Sequence, residues 1–164
     1  MRYSKITQEA GKTHISQLEL KSNENVSNRG VCLIGSGFII SESEAKQLGL
    51  GQTPGMEKHV RNYRNAQDLT GRSRNVLAID LYGLSEQETL SKFPTLYQHV
   101  YETVKPERDH NNRLSRREKW WLFGETNPKL REILDGLCRY IVTAVTAKLL
   151  YMMKLEIKKK AGNL

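Results

Sequence analysis

Two clusters of basic residues carry most of the chemistry this sequence offers. In the first, Arg61, Arg64, Arg72 and Arg74 alternate with Asn62, Asn65, Gln67 and Ser73; in the second, Arg108, Arg113, Arg116, Arg117 and Lys119 lead into the pair Trp120-Trp121. Guanidinium groups fork onto phosphate oxygens, while amides and hydroxyls reach phosphates and base edges alike, so both clusters suit a nucleic-acid surface. The alternative for the second cluster is pairing with Glu107, Asp109 and Glu118 on a solvated face. Trp120 and Trp121, followed by Leu122-Phe123, fit a core anchor better than a platform for base stacking.

Other chemistries find little support. The stretch "GSGFII" lacks the third glycine of a dinucleotide loop and any Gly-Lys-Ser/Thr ending, so it reads as a turn between two strands. Glu156-Ile157-Lys158 has the spacing of a nuclease Glu-x-Lys pair but sits in a lysine-rich tail, where a solvated helix end is expected. His14, His59, His99 and His110 share no metal-ligand spacing and are assigned surface or hydrogen-bonding roles. Pro54, Pro94, Pro106 and Pro128 are never adjacent, which excludes the Asn/Asp-Pro-Pro-aromatic box that amino-methyltransferases use to hold a flipped base. No residue is therefore assigned a catalytic, cofactor-binding or metal-binding role. Cys32 and Cys138 form no Cys-x-x-Cys pair and are read as reduced core thiols.

The elements that position the basic clusters follow from local signals. "GVCLIGSGFII" predicts two short strands around its Gly-Ser-Gly turn, and Ser41 with Glu44 caps a short helix that stops at Gly49. The segment from His59 to Arg74 is turn-rich, and "NVLAIDLYG" follows as an apolar strand interrupted by Asp80 and ended by Gly83. Ser85 and Glu88 open a helix that Pro94 interrupts or restarts. Leu96, Tyr97, Val100, Tyr101 and Val104 share one face of it, and Pro106 is expected to close it. Asn127, Pro128 and Gly136 delimit the helix "PKLREILD", "RYIVTAV" is a strand, and 147–160 can be helical. Short strands mixed with short helices predict a single irregular α+β domain.

Length and charge agree. The chain has 164 residues, enough for one domain with a real core, and 26 Lys and Arg against 18 Asp and Glu give a net charge of +8. Such a surplus favours anionic partners. No run of about 18 apolar residues and no signal peptide is present, so the expectation is a cytoplasmic protein without an integral membrane segment.

Longer phrases carry a resemblance. Tyr63-Arg64-Asn65 with Asp68-Leu69-Thr70, Ile79-Asp80 with Tyr82-Gly83-Leu84, Val104-Lys105-Pro106-Glu107-Arg108, Asn111-Asn112-Arg113 and Trp120-Trp121-Leu122-Phe123-Gly124 stand in order along the chain. Over about 28–148 the sequence resembles the region after the catalytic domain in MmeI-like DNA adenine methyltransferases and their fused restriction-modification relatives. The resemblance implies a target-recognition domain at 28–148, preceded by a polar arm at 1–27 and followed by a divergent basic amphipathic tail at 149–164. It implies duplex DNA as partner, gripped by Arg61, Arg64, Asn65, Arg72, Arg74, Lys105, Arg108, Asn112, Arg113, Arg116, Arg117 and Lys119. S-adenosylmethionine and methyl transfer belong, in that family, to an upstream catalytic domain that this chain does not include. Ala66-Gln67 stands where family members tend to carry a glycine-arginine pair, and after Lys148 the family pattern is lost, as in a truncation or a changed reading frame. The expected function is thus a DNA-binding target-recognition fragment, with a specificity subunit of a split methyltransferase or an inactive remnant as alternatives.

Overall fold

The computed structural model describes residues 27–145 together with the short strands at 7–9, 12–14 and 152–156. The predicted α+β class holds: helices surround one small antiparallel sheet in a single mixed domain. Within the segment expected to be a loose arm, β1 (Thr7–Glu9) and β2 (Lys12–His14) pair antiparallel, Thr7 opposite His14.

The central sheet has the order β3-β5-β4, from β3 (Ile39–Ile40), β4 (Val60–Asn62) and β5 (Leu77–Ile79). Ile39 faces Ala78 across one edge, and Val60 faces Ile79 across the other. The predicted strand over "NVLAIDLYG" is therefore shorter than its apolar run. Its later part, Asp80 and Leu81, is buried beyond the ladder, and Gly83 turns the chain at φ 88°. The first half of "GVCLIGSGFII" is no strand of this sheet. Cys32 instead exchanges backbone hydrogen bonds of 3.0 Å in both directions with Glu125, and a 3₁₀ turn at Ser36–Phe38 replaces the tight hairpin.

Helix starts follow their capping signals. In α1 (Glu42–Gln47) the Glu44 amide donates to Ser41 Oγ while Glu44 Oε2 accepts from the Ser41 amide at 2.7 Å. In α3 (Glu86–Lys92) Ser85 and Glu88 repeat the arrangement. A third box, absent from the sequence reading, opens α2 (Ala66–Thr70), where Asn65 and Asp68 cap each other. Pro94 restarts the chain as α4 (Pro94–Thr103). Pro106 does not close that run: it occupies the first turn of a further helix, α5 (Lys105–Asp109), where its missing N–H costs nothing. Helix α6 (Leu114–Glu118) follows, and then α7 (Pro128–Asp135), bounded as predicted by Asn127 and Gly136.

Leu96, Val100 and Val104 are fully buried and meet Phe38, Ile40, Met56, Ile79 and Leu81 in the core. Tyr101, expected on the same face, is exposed and meets Trp120 in an edge contact at 5.6 Å. Strand β6 (Arg139–Thr143) pairs with β7 (Met152–Glu156), Thr143 opposite Met152. The helix expected over 147–160 is thus a strand at 152–156, because pairing with a β-branched neighbour overrides a weak helical preference. Its other residues, including Lys158 to Lys160, lie outside the described ones.

Candidate nucleic-acid interface

The first basic cluster is built on β4, α2 and the loop into β5. Asn65 is consumed as the α2 cap, and Asp68 behind it is buried. Arg74 clamps that carboxylate through Nε at 3.0 Å and a terminal nitrogen at 2.7 Å, with its own amide adding a third bond at 3.0 Å. These donors hold the Asp68 carboxyl well below the usual carboxylate range. Arg74 therefore spends its fork on an internal acid. Arg61 turns back as well, donating to the Lys58 carbonyl at 2.8 Å and standing 3.9 Å from Asp80. Arg64 and Arg72 are exposed, and among the described residues no ion pair takes Arg72.

In the second cluster the structure corrects the placement of Arg108. It is 1% exposed, so it cannot line an outer surface. The reason is periodicity: Leu96, Val100, Val104 and Arg108 fall four residues apart, and the restart at Pro106 keeps Arg108 on the core side. One terminal nitrogen donates to the carbonyls of Leu33 at 2.9 Å and Leu122 at 3.1 Å, and the guanidinium carbon lies 5.8 Å from the Phe38 ring centroid. Burial lowers its pKa, and the charge of Arg116 pushes the same way. Arg117 donates to the Asn111 carbonyl at 2.5 Å, and Lys105 pairs with Asp109 at 2.7 Å. Arg116 stands 3.7 Å from Glu125. Asn112, Arg113 and Lys119 are exposed, and no ion pair among the described residues takes either cation.

Trp120 is buried, held edge-on between Tyr97 at 5.4 Å and Tyr101 at 5.6 Å, and Trp121 donates its indole N–H to the Leu84 carbonyl at 3.1 Å. Both tryptophans are anchors, as their apolar neighbours predict. Phe123 meets Phe38 at 5.1 Å, and Gly124 is required because a Cβ there would lie 2.6 Å from Ile34 Cδ1 and 2.8 Å from Ile34 Cβ.

Tyr63 belongs to the first cluster, and its phenol is pushed up by burial, an effect that the charge of Arg74 opposes and that of Asp68 reinforces. Cys32 and Cys138 are both free, but neither is the core residue expected: Cys32 is half-buried in the strip that pairs with Glu125, and Cys138 is exposed just before β6.

A site the sequence reading missed centres on Asp80. Arg131 of α7 forks onto it at 2.7 and 3.0 Å, donates Nε–H to the Thr126 carbonyl at 2.7 Å, and lies 4.3 Å from the Tyr82 ring centroid. His59 donates through Nδ1 to the Asp80 carbonyl at 2.9 Å. This is a structural clamp between the end of β5 and α7. His99 and His110 likewise bond carbonyls, those of Gly37 and Pro106. Among the described residues no group of three His, Cys, Asp or Glu side chains is placed to hold a metal ion, and no helix is long and apolar enough to cross a membrane. No protein-family model, curated protein or solved structure matches this chain.

Proposed function

We propose that this chain is a duplex-DNA-binding module of the target-recognition kind, as its resemblance to MmeI-like DNA adenine methyltransferases implies. The observation that carries the reading is that, among the described residues, Arg72 of the first cluster and Arg113 and Lys119 of the second are exposed and taken by no ion pair, on a chain of net charge +8. Binding of this kind rests on phosphate neutralisation and weakens with salt. S-adenosylmethionine and methyl transfer are left to a catalytic part outside these residues, since no adjacent prolines form the base-holding box among them.

The test is fluorescence anisotropy of labelled duplex DNA across a salt series. Replacing Arg113 and Lys119 together by Ala is expected to reduce the slope of log affinity against log salt by about 1.8, with unchanged unfolding. Equal affinity and slope in the double variant would refute the reading.

A specific observation favours the split-subunit form of this function. Ile141 and Val145 are 69% and 84% exposed, and Leu137 and Ile133 add apolar surface beside them. Scattered apolar residues are ordinary, but four exposed ones at every fourth position from α7 to just past β6 suit contact with another protein. Methyl transfer by a catalytic subunit that becomes site-selective only when this chain is added would establish it.

A further inference from the structure

Among the described residues three buried side-chain nitrogens have no hydrogen-bond partner: Nε and one terminal nitrogen of Arg108, and Nε of Arg116. All three belong to two guanidinium groups that border one strip of backbone: Arg108 donates to the Leu33 carbonyl, which also accepts the Gly124 amide, and Arg116 stands 3.7 Å from the next residue, Glu125. Among the described residues Arg108 has no carboxylate in ion-pair reach, Glu107 acting on it only from further off, and the acid in such reach of Arg116 is Glu125 at 3.7 Å, beyond hydrogen-bonding distance and half exposed. Two like charges with three unused donors in a low-dielectric setting are unfavourable unless something neutralises them. A water molecule offers two acceptor lone pairs and no charge. A tetrahedral oxyanion offers enough acceptor oxygens for all three donors and cancels the repulsion as well.

We propose that Arg108 and Arg116 form a receptor for one phosphate-class oxyanion. Arg108 is its fixed floor, oriented by the Leu33 and Leu122 carbonyls. Arg116, with a side chain 14% exposed, is the movable rim through which the anion enters, exchanging its weak contact with Glu125 for the ligand. A phosphodiester of bound DNA and free inorganic phosphate present the same chemistry to it. The site stands on the two arginines alone and does not require the DNA-binding reading.

The test is thermal unfolding of the full chain, followed by tryptophan fluorescence, in inorganic phosphate against chloride at matched ionic strength. Phosphate at ten times its Kd is expected to raise the Tm of the wild type and of Arg113→Ala by about 3 °C, and to leave Arg116→Gln unmoved. No rise beyond that in chloride, or the same rise in Arg116→Gln, overturns the proposal. Should Arg116→Gln fail to fold, the arginine Nε–H resonances of the unaltered chain decide: two must shift saturably with phosphate, and none shifting overturns the site. Anisotropy with duplex DNA separates the sources. A salt slope lowered by about 0.9 in Arg116→Gln identifies a DNA phosphodiester as ligand. A phosphate response without any DNA binding supports the receptor while refuting the proposed function.

Discussion

Replacing Asp80 by Asn tests whether the acid at the end of β5 is a structural clamp. The Asp80 and Arg131 side chains are 9% and 17% exposed, and the two bonds between them measure 2.7 and 3.0 Å. Each bond to a charged group contributes about 1.5–3 kcal/mol, and removing one partner of a buried pair costs about 3–5 kcal/mol because the other charge is left unpaired. Arg131 keeps its bond to the Thr126 carbonyl and its stacking on Tyr82, which places the expected loss near the lower bound, about 3 kcal/mol. Urea unfolding followed by tryptophan fluorescence measures it. Arg131→Met in the same background supplies a double-mutant cycle, in which a coupling energy of about 2 kcal/mol is expected. A loss under about 1 kcal/mol for Asp80→Asn, or a coupling near zero, would refute the clamp.

Arg74→Ala is expected to lower the urea midpoint sharply while leaving the DNA salt slope unchanged, because its fork is engaged by Asp68; a lower slope with unchanged stability would reverse the assignment. Acid unfolding follows from depressed carboxyl pKa values. Asp68 is held down by Arg74, and Glu88 is held at about 2 by the Ser85 amide and hydroxyl and by Lys92. Their contribution is present above the unfolded carboxylate pKa of about 4 and lost as pH falls below it, so Asp68→Asn must flatten the stability profile between about pH 5 and pH 2. Gly37→Ala places a methyl 2.6 Å from Thr103 Cβ and 2.9 Å from its carbonyl carbon, and an overpacking loss of about 2 kcal/mol is expected in urea unfolding. Gly30→Ala, which meets nothing within 4 Å, serves as the neutral control.

Local signals were legible in the sequence and long-range partners were not. Ser41 with Glu44 and Ser85 with Glu88 each marked a helix start, because a capping box is made by residues three positions apart, and Asn127 marked another as a cap directly before Pro128. Asn65 and Asp68 obey the same spacing, but their basic surroundings pointed to DNA and hid the box. The Asp80–Arg131 clamp joins residues far apart in the chain, and no spacing rule announces it. Arg108 was within reach: the four-residue series from Leu96 through Val100 and Val104 arrives at it, and only the expectation that Pro106 ends a helix interrupted the count. Residues 152–156 carry a weak pattern that suits helix or strand, and the partner strand decides between them.

The pairing of Cys32 with Glu125 has a consequence for synthesis. It ties together segments roughly ninety residues apart, and the Leu33 carbonyl beside it receives both the Gly124 amide and the Arg108 guanidinium. A ribosome therefore releases the sheet and α1 to α4 before the strip that seals them has emerged. Until Glu125 clears the exit tunnel, Phe38 and the underside of α4 have no Phe123 or Trp120 against them. The nascent chain must hold this open form for about one to two seconds at roughly 5–20 residues per second, which makes the passage from Arg113 to Glu125 the interval in which a chaperone has most to protect.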